Sequence, residues 1–196
     1  MKTASFYNIH KIPLQIPVIF EKSNFLVWTS EKLAMNHYII YTQKNWFFIL
    51  NQFLKNELFL NYSFLIENSA VDTLNYTNIN NDKKIFFKNQ RFLLFYTYYF
   101  YNIKSKITFI LNCEKHNKTI HSIDTIFNNA GWLERETSEM YGIYFLWKTD
   151  IRKLLLDYSK NDSPLLKDYP VSGYQDYFYN ILEDTVSFYN NEIIEL

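Results

Sequence analysis

The sequence predicts an α+β fold, a two-layer domain of helices on a mostly antiparallel sheet, with an extended C-terminal arm. Helical periods and aromatic or β-branched runs follow one another without regular alternation, which is typical of this class. The chain has 196 residues, enough for about one domain and a remainder. No period is sustained after about residue 145. We therefore expect an α+β domain at 1–145, with an irregular segment at 1–30, and an arm at 146–196.

The first half of the chain contains one predicted helix and several predicted strands. Pro13 and Pro17 disfavour a helix near the N-terminus. Apolar residues fall near one face of a helix at 45–60. Residues 75–84 are polar, and we expect them to form a loop. Aromatic and β-branched runs predict strands, in chain order, at 62–66, 85–87, 91–101 and 106–113. Only four residues separate the last two, so we expect a hairpin.

Sequence patterns in the second half of the chain predict three short helices. Ser122 is a helix-capping residue, and the apolar positions that follow it have i, i+3, i+4, i+7 spacing. A second helical piece covers 132–141. It ends at Gly142, where we expect a left-handed cap with positive φ. Residues 151–158 predict a further short helix.

Composition excludes several classes of function. Twenty basic residues balance twenty acidic ones, which argues against a nucleic-acid binder and a polybasic membrane anchor. The single cysteine, Cys113, excludes a disulfide framework and a self-contained iron–sulfur cluster, and its place at the end of a strand predicts a buried, inert thiol. No glycine-rich phosphate loop is present. The histidines lack metal-ligand spacing: they are His10, His37, His116 and His121. We expect no catalytic, cofactor-binding or metal-binding residues.

The residue usage indicates an A/T-rich coding sequence, as organelle genomes often have. We therefore expect a protein that is made inside an organelle. Lysine outnumbers arginine 17 to 3. Residues retained against this bias are expected where no substitute works. All three glycines, and the arginines Arg135 and Arg152, fall in the last third of the chain. Arginine there indicates a need for its planar, bidentate fork.

The densest charge cluster consists of Glu134, Arg135, Glu136 and Glu139. Paired carboxylates can act in acid–base catalysis, but Glu134 and Glu136 point apart on a helix, whereas Arg135 and Glu139 are spaced to pair. This pattern favours a structural or interface ion network. We expect Arg135 to be mostly buried and bonded to a carboxylate.

The stretch ERETSEMYGI at 134–143 resembles the signature of the subunit 9 family, also called the thirty-kilodalton subunit family, of respiratory complex I, NADH:ubiquinone oxidoreductase. A basic, leucine-rich segment containing Arg152 follows, as it does in that family. Downstream, the family's P-x-R-K-D-F/Y-P-x-S/T-G-Y/F segment matches at Pro164, Lys167, Asp168, Tyr169, Pro170, Gly173 and Tyr174. The chain departs from the family at Lys148-Thr149, where His-Pro is common, and at Leu166, where arginine is common.

The resemblance implies a scaffold subunit on the matrix side of the mitochondrial inner membrane that reaches the membrane only through its complex. The complex uses NADH, flavin, iron–sulfur clusters and ubiquinone, but the resemblance implies none of these in this chain. The implied partners are the large quinone-pocket subunit and the neighbouring cluster-bearing subunit. The implied structural or interface residues are Glu134, Arg135, Glu136, Glu139, Gly142, Arg152, Lys167, Asp168, Pro170, Gly173 and Tyr174.

The arm is expected to lie on a partner subunit. Residues 159–196 have prolines at 164 and 170 and too many aromatic side chains to remain in water. The expected anchors are Tyr169, Tyr174, Tyr177 and Tyr179. Two alternatives stay open: an equivalent subunit of a related membrane hydrogenase or quinone reductase, and a stand-alone α+β protein-binding module.

Overall fold

The computed structural model describes residues 27–34, 37–56, 63–74, 90–101, 104–159 and 162–191. In these ranges the helices are α1 (Lys44–Asn56) and α2 (Ala130–Tyr141). The strands are β1 (Val27–Ala34), β2 (His37–Thr42), β3 (Ser63–Asp72), β4 (Gln90–Phe100), β5 (Ser105–Glu114), β6 (Thr119–His121), β7 (Tyr144–Leu146), β8 (Gln175–Asn180) and β9 (Thr185–Asn190). The α+β class is confirmed.

The main sheet has five strands in the order β1-β2-β5-β4-β3. Its neighbouring strands are antiparallel except β2 and β5, which run parallel with Ile40 opposite Phe109. The predicted hairpin is formed by β4 and β5, with Phe100 opposite Ser105. Two smaller sheets contain the parallel pair β6–β7 and the antiparallel pair β8–β9.

The core lies between one face of the main sheet and the helices. Alternate residues of β4, from Phe92 to Phe100, are buried because successive side chains of a strand point to opposite faces. Phe47 of α1 packs on Tyr96 with ring centroids 4.4 Å apart. The Tyr98 hydroxyl donates to Asn51 of α1, so this buried aromatic keeps its polar group bonded. Each such side chain contributes about 1.5–3 kcal/mol when buried.

Several predicted elements differ in extent or lie outside the described residues. The first helix ends at Asn56 in the described part of the chain, and β3 extends six residues beyond the predicted strand. Residues 27–30, assigned to an irregular segment, belong to β1. The predictions for Pro13, Pro17 and the loop and strand at 75–87 lie outside the described residues.

The helix predicted to open at Ser122 does not form, whereas the second predicted piece, at 132–141, is α2 and begins two residues earlier, at Ala130. The amides of Ile126 and Phe127 both donate to the Ile123 carbonyl, which makes a single turn. The Ser122 hydroxyl and the Ile123 amide donate to the carboxylate of Glu134, at 2.6 and 2.9 Å. These bonds hold Ser122 and Ile123 beside α2 rather than within it, so the prediction was wrong despite the helical spacing.

The predicted end of α2 at Gly142 is confirmed. Gly142 has φ +65° and ψ +36°, and its amide donates to the Ser138 carbonyl at 2.8 Å. A Cβ built on Gly142 would lie 3.1 Å from Ser163 Oγ, so the neighbouring chain leaves little space there.

We expect Gly142→Ala to lower the free energy of unfolding by about 1–2 kcal/mol, because it combines the left-handed penalty with crowding at Ser163. Urea unfolding of the full chain measures this change. The matched control is Gly131→Ala within α2, where the nearest atom is Asp124 Cβ at 4.0 Å. Since alanine is favoured over glycine in a helix by up to about 1 kcal/mol, the control should not lose stability. Equal losses in both variants would contradict the role given to Gly142.

Candidate functional site

The charged motif lies on α2, which packs against the edge strand β3. The Thr137 hydroxyl donates to the carbonyl of Asn68 in β3 at 3.2 Å. The three glutamates of the motif differ in burial: Glu134 and Glu139 are buried, whereas Glu136 is exposed. The buried carboxylates therefore require partners inside the molecule.

Glu134 is fully buried and receives three hydrogen bonds. Ser122 and Ile123 supply two, and Lys148 Nζ supplies the third at 3.1 Å. Burial raises the pKa of Glu134, while Ser122, Ile123 and Lys148 each act to lower it. Lys148 is itself buried and lies 3.9 Å from Asp124. The lysine that stands in place of the family's common histidine is thus the cationic partner of the buried glutamate.

Arg135 is mostly buried and paired, as expected, with its side chain 10% exposed. Its Nη1 lies 3.3 Å from Oδ2 of Asp150, and its other nitrogens donate to the carbonyls of Arg152 and Lys153 at 2.8 and 3.1 Å. The guanidinium also lies 5.1 Å from the Trp132 ring centroid. The partner is therefore Asp150, and the expected pairing of Arg135 with the glutamate one turn later on α2 was wrong.

The carboxylate of Glu139 instead accepts hydrogen bonds from three consecutive backbone amides. Leu154, Leu155 and Leu156 donate to its carboxylate at 2.9, 2.9 and 2.5 Å. Burial opposes its ionisation, but the three amides and Lys153 outweigh that effect, and the pKa of Glu139 lies below its usual value. Because these amides bond to the carboxylate, the helix predicted at 151–158 does not form. Residues 151–157 have no regular secondary structure, with bends at 154–156, and a turn follows at 158–159.

A second ion cluster joins the main sheet to the C-terminal region. The Arg91 guanidinium on β4 binds both oxygens of Asp72 on β3, at 2.8 to 3.3 Å, and also binds Asp168. The Lys167 amide donates to Asp72 at 3.0 Å. Burial alone would raise the pKa of Asp72, but Arg91 and the amides of Lys167 and Leu74 bring it below its usual value.

The contacts on α2 and at Arg91 define one feature, which we call the strap: residues 148–168. The Leu165 amide adds a bond to the Met140 carbonyl of α2 at 3.1 Å, and Leu166 packs on the core. The strap is thus attached to the domain from Lys148 to Leu156 and from Leu165 to Asp168. The division of the chain into 1–145 and 146–196 stays a prediction.

The structure places the remaining predicted site residues at the strap or just after it. Arg152 is 73% exposed and bonds to Asp150 at 2.8 Å. Pro170 accepts a bond from the Gly173 amide at 2.9 Å, and Gly173 has φ +71°. The Tyr174 ring stacks edge-on against Tyr169, with centroids 5.1 Å apart. Pro170, Gly173 and Tyr174 belong to the turn that leads from the strap into the hairpin of β8 and β9.

The Arg91–Asp72 pair was missed by the sequence reasoning. Its signal was present, because Arg91 is the third arginine of a chain that otherwise uses lysine. The two residues are 19 positions apart on different strands, and only the antiparallel pairing of β3 with β4 brings them together.

The single cysteine of the chain is buried. Cys113 is a buried thiol, as predicted; its Sγ lies 3.1 Å from the Asn117 carbonyl, and burial raises its pKa.

In the described ranges no group of three or more histidine, cysteine, aspartate or glutamate side chains is arranged to hold a metal ion. Neither described helix combines the length and the apolar character needed to span a membrane.

Comparison with known proteins gives consistent matches. The family described as "Respiratory-chain NADH dehydrogenase, 30 Kd subunit" matches residues 40–175. NADH-ubiquinone oxidoreductase subunit 9 of Paramecium primaurelia is 36% identical over 184 residues, which cover 94% of this chain and 87% of the relative.

Two solved structures share the fold. A fragment of Nqo5 has a TM-score of 0.54 at 14% identity and covers 69% of this chain and 96% of its own. A chain of the membrane-bound sulfane sulfur reductase, an archaeal respiratory membrane complex, has a TM-score of 0.62 at 15% identity and covers 80% and 84%.

We expect Glu139→Gln to lower the free energy of unfolding at neutral pH by about 1–3 kcal/mol, since charge-assisted bonds to three amides become neutral ones. The folded pKa of Glu139 is lowered. Its ionisation therefore stabilises the fold above the usual carboxyl pKa, and that contribution is lost as the pH falls through the folded pKa. Urea unfolding from neutral to acidic pH should show a flatter profile for the variant.

The exposed neighbour supplies the control for this measurement. Glu136→Gln should keep both the stability and the pH profile of the parent chain, because Glu136 lies in water. Parallel pH profiles for Glu139→Gln and the parent would contradict the role assigned to Glu139.

We expect Arg135→Ala to cost about 1.5–3 kcal/mol of unfolding free energy, because bonds from a buried guanidinium to a carboxylate and two carbonyls are lost. The loss is smaller than for a fully buried ion pair because Asp150 is 37% exposed and stays solvated. Arg152→Ala removes an exposed partner of the same aspartate and should change stability much less than Arg135→Ala does, because an exposed ion pair is screened by water. Equal effects of the two variants in urea unfolding would refute this ranking.

Proposed function

The chain belongs to the family of the 30 kDa subunit of respiratory-chain NADH dehydrogenase, and we propose that it serves in that complex as a non-catalytic scaffold subunit of the peripheral, matrix-side arm. In this role it supports electron transfer from NADH to ubiquinone by holding the subunits of the quinone site in place. The flavin, iron–sulfur clusters and quinone are bound by other subunits. The chain is made in the mitochondrion and associates with the inner membrane through the complex.

The observation that carries the scaffold role is the use of the charged motif on α2. Glu134, Arg135 and Glu139 direct their bonds to the chain's own backbone and side chains, and each is nine-tenths buried or more. General acid–base catalysis requires a group within hydrogen-bond reach of a substrate. Because these three charged groups bond within the chain, they favour a structural role, which is to fix the path of the strap.

The partner surface begins where the strap ends. Several of the side chains that follow Gly173 are aromatic and exposed, among them Tyr174, Tyr177 and Tyr179. An exposed apolar patch of this kind is typical of a protein–protein interface. We propose the large quinone-pocket subunit as the main partner and the neighbouring cluster-bearing subunit as the second.

The decisive experiment is native electrophoresis of membranes from cells that express the tagged chain. The proposal requires the chain to migrate in a very large particle that stains for NADH:quinone activity. Migration as a monomer would favour a stand-alone binding module. Migration in a large particle that lacks NADH oxidation would favour a related membrane reductase or hydrogenase.

We expect removal of residues 171–196 to abolish incorporation into the complex while leaving the domain folded. The attachments of the strap to α2 and Arg91 end at residue 168, so the deletion spares them. Circular dichroism and urea unfolding test the fold, and native electrophoresis tests incorporation. A truncated chain that is incorporated normally would contradict the proposed role of the arm, and an unfolded one would make the arm part of the domain.

A further inference from the structure

The hairpin of β8 and β9, which we call the C-terminal hairpin, is closed at its base by hydrogen bonds. The Asn191 amide donates to the Tyr174 carbonyl, and the Asn191 side chain donates to the Ser172 carbonyl, both at 2.9 Å. The positive φ of Gly173 turns the chain at this point. This base connects the hairpin to the strap, whose path the ion clusters set. A strand pair was not predicted for this region, which was expected to have no sustained period.

Both faces of the C-terminal hairpin are apolar and exposed. Tyr177 lies opposite Phe188 on one face, with ring centroids 6.2 Å apart. Phe178 and Tyr189 form a pair on the other face, at 6.0 Å. The side chains of these four residues are 46–61% exposed. An isolated two-stranded hairpin is at best marginally stable in water, so both faces call for a covering surface.

The tip of the C-terminal hairpin is also apolar, but acidic residues follow it directly. Ile181 and Leu182 are 82% and 96% exposed, and Glu183 and Asp184 come next in the turn. The charge of the whole chain divides before the hairpin, directly after Lys167. Every lysine and arginine lies at or before Lys167, whereas residues 168–196 contain six carboxylates and no basic residue. Up to Lys167 there are twenty basic and fourteen acidic residues, so a net charge of +6 faces one of −6.

We propose that the C-terminal hairpin inserts into a cleft of a partner subunit, between two apolar walls, with lysine or arginine side chains at the cleft facing its acidic tip. This inference rests on the proposed function, since the partner is a subunit of the same complex. Two walls are needed because each face presents its own aromatic pair. A basic surface is needed because complementary charge both steers docking and excludes wrong partners.

The hairpin of a second copy is a poor occupant. Pairing two hairpins would bring their carboxylates together without any basic residue beyond Lys167 to compensate, and juxtaposed like charges are unfavourable. A partner protein with a basic cleft meets both requirements.

The two-wall geometry is tested by serine substitutions on each face, in the full chain within its complex. One pair is Tyr177→Ser and Phe188→Ser, and the other is Phe178→Ser and Tyr189→Ser. All four variants should show a severalfold loss of incorporation into the native complex, with urea unfolding of the full chain unchanged. Sensitivity on one face only would mean that the hairpin lies on a single surface, and insensitivity on both faces would leave it outside the interface. Either result overturns the proposal.

The charge requirement is tested by Glu183→Lys at the tip, with Glu114→Lys, which is exposed at the end of β5, as the matched control. Washing the isolated complex with increasing salt should release the Glu183→Lys chain at lower salt than the control. Zero-length carbodiimide cross-linking of the parent complex should join Glu183 or Asp184 to a lysine of another subunit. Equal release of the two variants, or cross-links only to this chain's own lysines or to a second copy, would overturn the proposal.

These tests separate the inference from the proposed function. A chain that migrates with NADH:quinone activity but tolerates the hairpin variants refutes the cleft alone. A chain that never joins the active particle refutes the function as well.

Discussion

Two carboxylates buried in one helix determine how the rest of the C-terminal third is arranged. A carboxylate removed from water must be hydrogen-bonded, and a helix cannot supply donors from its own paired amides. Glu134 and Glu139 of α2 therefore take donors from the chain before the helix and from the strap after it. The strap follows a defined path over α2, and its described residues, 148–159 and 162–168, have no regular secondary structure. This path is set because its polar groups bond to these acids and to Arg135.

Two of the arginines also meet the need of buried charged groups for hydrogen-bond partners. Arg135 places its donors on one carboxylate and two carbonyls, and Arg91 bridges Asp72 on the sheet to Asp168 of the strap. A lysine ammonium is a point charge and does not match such divergent acceptors with fixed geometry. Arg152, by contrast, is exposed, and its bonds to Asp150 do not explain why lysine could not serve there.

Local signals predicted much of the domain and little of the strap. The β4–β5 hairpin, α1 and the end of α2 at Gly142 follow from periodicity and from the positive φ that glycine allows. The predictions failed at Ser122 and at 151–158, where side chains or amides bond to a distant carboxylate instead of a local carbonyl. The parallel β2–β5 pair and the Arg91–Asp72 bridge were not foreseen, since both join residues far apart in sequence. Family resemblance identified the strap residues, but only the fold shows what they touch.

The bridge between Arg91 and Asp168 has a consequence for how the protein is made. Ribosomes deliver a chain from its N-terminus, and domains generally fold as units once their residues have emerged. Here β3 and β4 emerge early, but Asp72 lacks the Lys167 amide and Arg91 lacks its second carboxylate until residue 168 is available. Final closure of the domain is thus deferred until the strap has been synthesised.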